Sequence, residues 1–260
     1  MINNKNKISV GITFIIMIVI NALANIIPIN GIGTGEVSDS FPNLFAPAAI
    51  TFSIWGVIYL LLALFVLYYI GIIFNKDSKN KRLLIDIGYI FAISSLANAL
   101  WIISWHYKQI VISLLLMLVL LISLIRINIK INKEELNRKE KLFVKLPFSI
   151  YFGWITVATI ANVTALIVSF NKNGFGESEP IWAMITILVG MFIGLITMIK
   201  NRDVFYGLVL VWAYSGILLK HLSKTGFNGE YSNIIIVVII SLIIFVMGGI
   251  YTLIGKKRYR

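Results

Sequence analysis

The sequence contains no cysteine and little charge. Without cysteine, the chain has no disulfide framework, no thiolate metal site and no cysteine nucleophile. Only 13% of its 260 residues are charged, and just 11 residues are acidic. No set of nucleophile, base and orienting group can be assembled from the residues present, so the sequence favours a protein that is not an enzyme.

Apolar residues dominate the composition instead. They make up 59% of the chain, and the mean hydropathy of +0.91 is well above that of ordinary soluble domains. The charged residues lie in short clusters between long apolar runs, which is typical of a polytopic membrane protein. Only a helix satisfies its own backbone hydrogen bonds in lipid. We therefore predict an all-α, polytopic membrane helix bundle.

Eight apolar segments are long enough to span a bilayer, which needs about 20 residues. The segments cover residues 8–28, 47–74, 83–105, 109–128, 147–170, 181–199, 203–220 and 233–254. The seventh has the shortest clean apolar run. The first follows a short basic stretch, as a signal peptide would, but it lacks a small-residue cleavage site and is predicted to remain as a helix.

Lysine and arginine are distributed unevenly between the two sides that eight spans create. With the N-terminus inside, 19 of the 23 basic residues fall on the inner side and four on the outer side. The positive-inside rule then places both termini in the cytoplasm of a multi-pass protein in the plasma or inner membrane. This distribution accounts for the net charge of +12 through topology and anionic headgroups, so we expect no nucleic-acid partner.

The loops carry weaker signals. The outer loop 29–46 contains GIGTG at 31–35, but a phosphate-binding loop needs a preceding strand and a following helix, so these are predicted to be turn glycines. The inner connector 126–146 mixes basic and acidic residues without a clear helical period. We expect it to be solvated or to lie on the headgroups.

Ionisable groups near the spans are few. Asp86 follows Arg82 by one helical turn, which predicts a shallow ion pair at the interface. His106 and His221 both lie at outer helix ends. Either could ligate a haem iron, and the alternative is an ordinary interfacial histidine.

Three segments carry aromatic rings together with amide or small side chains on one helical face. The stripes are Trp55 and Tyr59; Asn98, Trp101 and Trp105; and Trp154, Ala158 and Asn162. An amide in hydrocarbon needs a partner, so each stripe should face the bundle interior. The stripes either line a cavity or serve only to pack and hydrogen-bond the helices together.

Three stretches in the same segments resemble motifs of the tryptophan-rich sensory protein / translocator protein (TspO/MBR) family. WITVATIAN at 154–162 resembles W-x-x-F-A-T-x-x-N, and ANALWIISW at 97–105 resembles N-x-x-W-S-x-x-F. TFSIWGVIY at 51–59 resembles P-V-W-T-x-L-Y. Their order and spacing within residues 8–170 match the five-helix unit of that family.

The resemblance implies two domains, a TspO-like five-helix membrane unit at 1–172 and three additional transmembrane helices at 173–260. It also implies a homodimer and a pocket, beneath the loop joining helices one and two, that binds porphyrins and other flat apolar ligands. Porphyrin or haem is then a ligand, and no other cofactor is implied. The residues carried over by motif are Trp55, Tyr59, Asn98, Trp101, Trp154, Ala158 and Asn162.

The chain departs from the family pattern at several positions. Its loop reads FPNLFAPAA and lacks tryptophan, and Val157 stands where the family has phenylalanine. The favoured function is a membrane protein that senses or moves a tetrapyrrole-like or sterol-like molecule. The alternatives are a small-solute transporter, which lacks the usual intramembrane charge pairs here, and a membrane enzyme acting on tetrapyrroles.

Overall fold

The computed structural model describes residues 2–27, 29–73, 80–170 and 178–255. Within these ranges the chain consists of helices and the turns that join them, and it contains no β-strand. This confirms the predicted all-α class.

Eight helices in the described residues are long and apolar enough to cross a membrane. They are α1 (Asn4–Ile26), α2 (Ile54–Ile70), α3 (Lys81–His106), α4 (Ile110–Asn132), α5 (Leu146–Phe170), α6 (Glu179–Asn201), α7 (Val204–Leu222) and α8 (Ser232–Gly255). The predicted count of eight spans is confirmed. The least apolar is α7, with a mean hydropathy of 1.4, which agrees with the short apolar run of the seventh segment.

Contacts divide the chain into two compact units. The first unit contains Met1–Thr34 and Ile54–Ile155, and the second contains Gly35–Ser53 and Thr156–Arg260. The boundary between them falls inside α5. The predicted domains at 1–172 and 173–260 follow from the resemblance to a family and not from contacts within the chain. That division stays a prediction.

In the first unit, α3 is the central helix and packs against both α1 and α4. A cluster of phenylalanines joins α2, α3 and α5. The rings of Phe65 and Phe148 lie 4.7 Å apart, and Phe91 lies 5.2 Å from Phe65. Gly88 permits close approach of α2 and α3, because a Cβ there would overlap the phenol of Tyr69.

The connector between α4 and α5 is largely helical, although its sequence lacks a clear helical period. Residues 132–135 are exposed, and the expectation that the connector is solvated or lies on the headgroups stays a prediction. Residues Arg138–Glu140 form a helical turn that continues through the π-helix Lys141–Lys145 into α5. Glu140 is only 1% exposed. Its carboxylate accepts hydrogen bonds from the backbone N–H of Asn137 at 3.0 Å and from the Asn80 amide at 3.0 Å. Glu140 thereby joins the start of α5 to the start of α3.

Asp86 does not pair with Arg82 as predicted. Its carboxylate binds Lys130 of α4 at 2.7 Å, and both side chains are about 40% exposed. The helices α3 and α4 are antiparallel neighbours, so the end of one meets the start of the other. At this exposure such a pair contributes roughly 0–1 kcal/mol.

In the second unit, α8 packs against both α6 and α7. The glycines of the GxxxG motif in α6, Gly190 and Gly194, lie at close contacts. A Cβ at Gly190 would lie 2.7 Å from the Tyr214 hydroxyl, and one at Gly194 would lie 2.5 Å from Leu210. Small residues at this spacing let neighbouring helices pack closely. Tyr214 also donates to the Ile187 carbonyl at 2.7 Å.

The chain before α2 is fixed to α7 within the second unit. The Ala48 N–H donates to the Gly216 carbonyl at 3.0 Å, and the Trp212 indole donates to the Thr51 carbonyl at 2.9 Å. Nearer the end of α7, Lys220 binds the carboxylate of Asp39 at 2.9 Å. We call residues 35–53 the α7-bound loop. Upstream, Gly31 has a φ of 78° and is a turn glycine as predicted. Gly35 was also predicted to be a turn glycine, but it lies in the short helix Thr34–Asp39.

Candidate functional site

An aromatic cluster is centred on Trp55, the second residue of α2. The centroid of its ring lies 5.4 Å from that of Tyr59, 5.8 Å from Trp101, 6.1 Å from Tyr151 and 6.2 Å from Trp154. All four separations lie in the range of about 4.5–7 Å that favours attraction between aromatic rings. The structure therefore brings together four of the predicted site residues from three helices.

Helical spacing explains how the cluster forms. Trp55 and Tyr59 are four residues apart on α2, so their rings lie on one face and stack at an interplanar angle of 20°. Tyr151 and Trp154 are three residues apart on α5 and meet Trp55 edge-on, at angles of 66° and 85°. Trp55 is thus surrounded by both stacked and edge-on partners.

Asn98 lies at the centre of a polar chain between helices. The residue is fully buried. Its amide donates to the Tyr151 hydroxyl at 2.9 Å, and its carbonyl accepts from the Asn21 amide at 2.7 Å. The predicted need of these buried amides for partners is met by α1 and α5. Both ends of the Asn98 side chain are therefore already engaged.

Tyr151, which was not among the predicted site residues, joins the polar chain to the aromatic cluster. Its ring contacts Trp55, while its hydroxyl accepts from Asn98. The available signal was its position three residues before Trp154, on the same face of α5. No family motif quoted above includes that position.

Trp101 carries a buried donor that has no hydrogen-bond partner among the described residues. Its side chain is 4% exposed, and its indole N–H is unsatisfied. The hydroxyl of Ser95, six residues earlier on α3, is buried and unpartnered as well. Leaving a buried polar group unsatisfied costs about 1–3 kcal/mol. An acceptor atom that reached Trp101 would recover part of that cost.

Trp105 and His106 lie at the C-terminal end of α3 and contact the segment after α1. Trp105 stacks on Trp101 at 6.2 Å and donates to the Thr34 carbonyl at 3.2 Å. His106 is fully buried, with one ring nitrogen 3.1 Å from the Thr34 hydroxyl and the other 3.0 Å from the Ile29 carbonyl. Because both nitrogens are engaged, His106 lacks a lone pair directed at a haem iron.

His221 is in the second unit, near the end of α7. It is fully buried, and one of its ring nitrogens lies 2.9 Å from the Leu44 carbonyl. The ring packs against Phe227 at 4.8 Å. These contacts fit a histidine that holds the α7-bound loop in place.

The remaining predicted site residues, Ala158 and Asn162, follow Trp154 by one and two turns of α5. Ala158 is half-buried, and Asn162 is 2% exposed. Both belong to the second unit, which takes over the helix from Thr156 onward. Their place in a ligand site stays a prediction.

The eight membrane-length helices and the buried cluster of tryptophan, tyrosine and asparagine define an integral membrane helix bundle. The family model described as TSPO-like protein matches residues 7–251, and the chain belongs to that family. The match confirms the resemblance found at residues 8–170 and extends it over α6 to α8. No curated protein and no solved structure matches the chain.

Proposed function

We propose that the protein binds a flat apolar ligand, such as a porphyrin or a sterol-like molecule, and senses or moves it within the membrane. The observation that carries this proposal is the aromatic cluster around Trp55, with the unsatisfied indole N–H of Trp101 beside it. Stacking on an aromatic ring contributes about 0.5–1.5 kcal/mol beyond the burial of area. A few donors among such rings are typical of small-molecule sites.

The donor that orients a ligand is Trp101 rather than Asn98. The Asn98 amide is already bonded at both ends, to Asn21 and Tyr151. Trp101 contacts the Trp55 ring, and its indole N–H is available as a hydrogen-bond donor. A carbonyl or carboxylate at the edge of a flat ligand would therefore bind at Trp101 while the ligand stacks within the cluster.

Tryptophan fluorescence of the purified full chain tests this function. Four of the six tryptophans, namely Trp55, Trp101, Trp105 and Trp154, lie in or next to the aromatic cluster. We expect saturable quenching by a porphyrin together with a Soret shift. New product bands under light would instead indicate an enzyme, and solute uptake without quenching would indicate a transporter.

Trp101→Phe tests the donor separately, because it keeps an aromatic ring and removes only the N–H. We expect it to weaken a dicarboxylate porphyrin about fivefold or more, which is roughly 1 kcal/mol and within the range for one hydrogen bond. A porphyrin without acceptor groups should be affected little. Trp105→Phe is the matched control, since its N–H is already bonded to Thr34. Equal losses for both porphyrins would contradict a donor role.

We also propose that both termini lie in the cytoplasm, on the basis of the 19 basic residues on one side and four on the other. A reporter that is active only in the cytoplasm should be active when fused after Arg260. The same reporter inserted in the outer loop after Phe227 should be inactive. An inactive C-terminal fusion together with an active insertion after Phe227 would refute the orientation.

A further inference from the structure

An apolar groove of about 210 Å³ runs along the second unit between α7 and α8. Its floor is formed by Met198 and Phe245, which are buried. Its rims include Leu208 of α7 and Ile250 of α8, which are 57% and 51% exposed. Every residue that lines the groove is apolar, so it opens towards the hydrocarbon of the bilayer.

Two glycines shape the groove. A Cβ at Gly207 of α7 would overlap the sulfur of Met198, so glycine is needed there for Met198 to form the floor. A Cβ at Gly249 of α8 would meet no heavy atom within 4 Å. The space over Gly249 is therefore open, and the groove can be filled from that position.

Two basic residues precede one end of the groove in the chain. Val204, which lines the groove, directly follows the turn between α6 and α7 that carries Lys200 and Arg202, both exposed. The one acidic residue of this turn, Asp203, is 1% exposed and caps α7 through its side chain. Because the turn joins two spanning helices, it lies at the level of the headgroups.

The end of α8 lies at the same end of the groove, where Leu253 is the last lining residue. The antiparallel arrangement of α7 and α8 brings the start of one to the end of the other. Clusters of basic residues next to a spanning helix attract anionic headgroups.

We propose that this groove is a binding site for one phospholipid with an anionic headgroup. Its acyl chain lies over Gly249 against Met198 and Phe245, and its phosphate is bound at Lys200 and Arg202. Van der Waals contacts hold the acyl chain, because the residues that line an empty groove would lack those contacts. The basic end selects the headgroup. The site shares no residue with the aromatic cluster and does not depend on the proposed function.

Native mass spectrometry of the detergent-purified full chain tests the site, with phosphatidylglycerol and phosphatidylcholine of identical acyl chains as probes. We expect the protein to retain more phosphatidylglycerol at equal concentration. Gly249→Leu should lower the retained phosphatidylglycerol about fivefold or more, which corresponds to about 1 kcal/mol. Gly11→Leu is the matched control, since a Cβ at Gly11 of α1 also meets no atom within 4 Å.

A second variant tests the headgroup. K200Q/R202Q should reduce the retention of phosphatidylglycerol to that of phosphatidylcholine. If Gly249→Leu retained as much phosphatidylglycerol as the unaltered chain, with an unchanged thermal midpoint, the groove could not be the binding site. Equal retention of the two lipids by the unaltered chain would overturn the anionic selection. A change from dimer to monomer on Gly249→Leu would assign the groove to a second copy of the chain and would also overturn the proposal.

Discussion

Trp55→Ala is expected to weaken porphyrin binding by about tenfold or more, which corresponds to about 1.4 kcal/mol. The Trp55 ring is the one ring that contacts all four other members of the aromatic cluster. Its loss removes one stacking surface directly and leaves Tyr59 and Trp101 without their common neighbour. Trp154→Ala should have a similar effect, because Trp154 is the edge-on partner of Trp55. The measurement is a fluorescence or Soret titration of the purified variants.

The control for this prediction is Trp182→Ala. Trp182 lies on α6 and is 49% exposed, so its removal should change porphyrin affinity little. Because Trp154 is only 3% exposed, Trp154→Ala is also expected to cost stability, about 3–5 kcal/mol for a buried tryptophan. Trp55→Phe, which keeps a ring, separates the two effects. If all the alanine variants lost affinity and thermal stability in parallel, the cluster would serve only to pack the helices.

The spanning helices could be predicted from sequence because the bilayer leaves few alternatives. An apolar run of about 20 residues in lipid must form a helix, since nothing else there satisfies the backbone. The predicted seventh segment, 203–220, became α7 at Val204–Leu222 despite its weak signal. The helical turn at Arg138–Glu140 was missed, because the burial of Glu140 depends on its contact with Asn80, which lies 60 residues away.

The site was predictable to the level of helical faces. The four-residue spacing of Trp55 and Tyr59 placed both rings on one side of α2, and they do stack. Periodicity cannot say which face meets which neighbour. Asn98 was expected to have a polar partner, but its bonds to Asn21 and Tyr151 depend on how α1 and α5 pack beside α3.

Pairings between distant parts of the chain could not be predicted from the sequence for the same reason. The choice of Arg82 for Asp86 assumed that the nearest base along the helix would be the partner, whereas Lys130 on the neighbouring helix is. The α7-bound loop is a larger case. Thr51 and Trp212 are hydrogen-bonded across 161 residues, and neither residue type nor spacing indicates the pair.

Gly216→Ala is expected to destabilise the protein by about 1–3 kcal/mol, the usual cost of overpacking a tight contact. A Cβ at Gly216 would overlap the Oγ1 of Thr51, and it would lie within 2.8 Å of the Thr51 Cβ. That atom is fixed to the backbone, so it cannot turn aside as the end of a long side chain can. The carbonyl of Gly216 also binds the N–H of Ala48, which holds the loop against α7 at this point. The measurement is the thermal midpoint of the detergent-purified protein.

Gly11→Ala on α1 is the control, because the new methyl group meets no atom within 4 Å. Both substitutions gain the same helix propensity, up to about 1 kcal/mol, so the two variants should move in opposite directions. Thr51→Ala should restore part of the loss in a Gly216→Ala background, since it removes the two side-chain atoms that lie closest. Its own cost should be small, because the Thr51 hydroxyl is buried without a hydrogen-bond partner among the described residues. Additive effects of the two substitutions would show that they do not meet, and the attachment of the loop at Gly216 would be wrong.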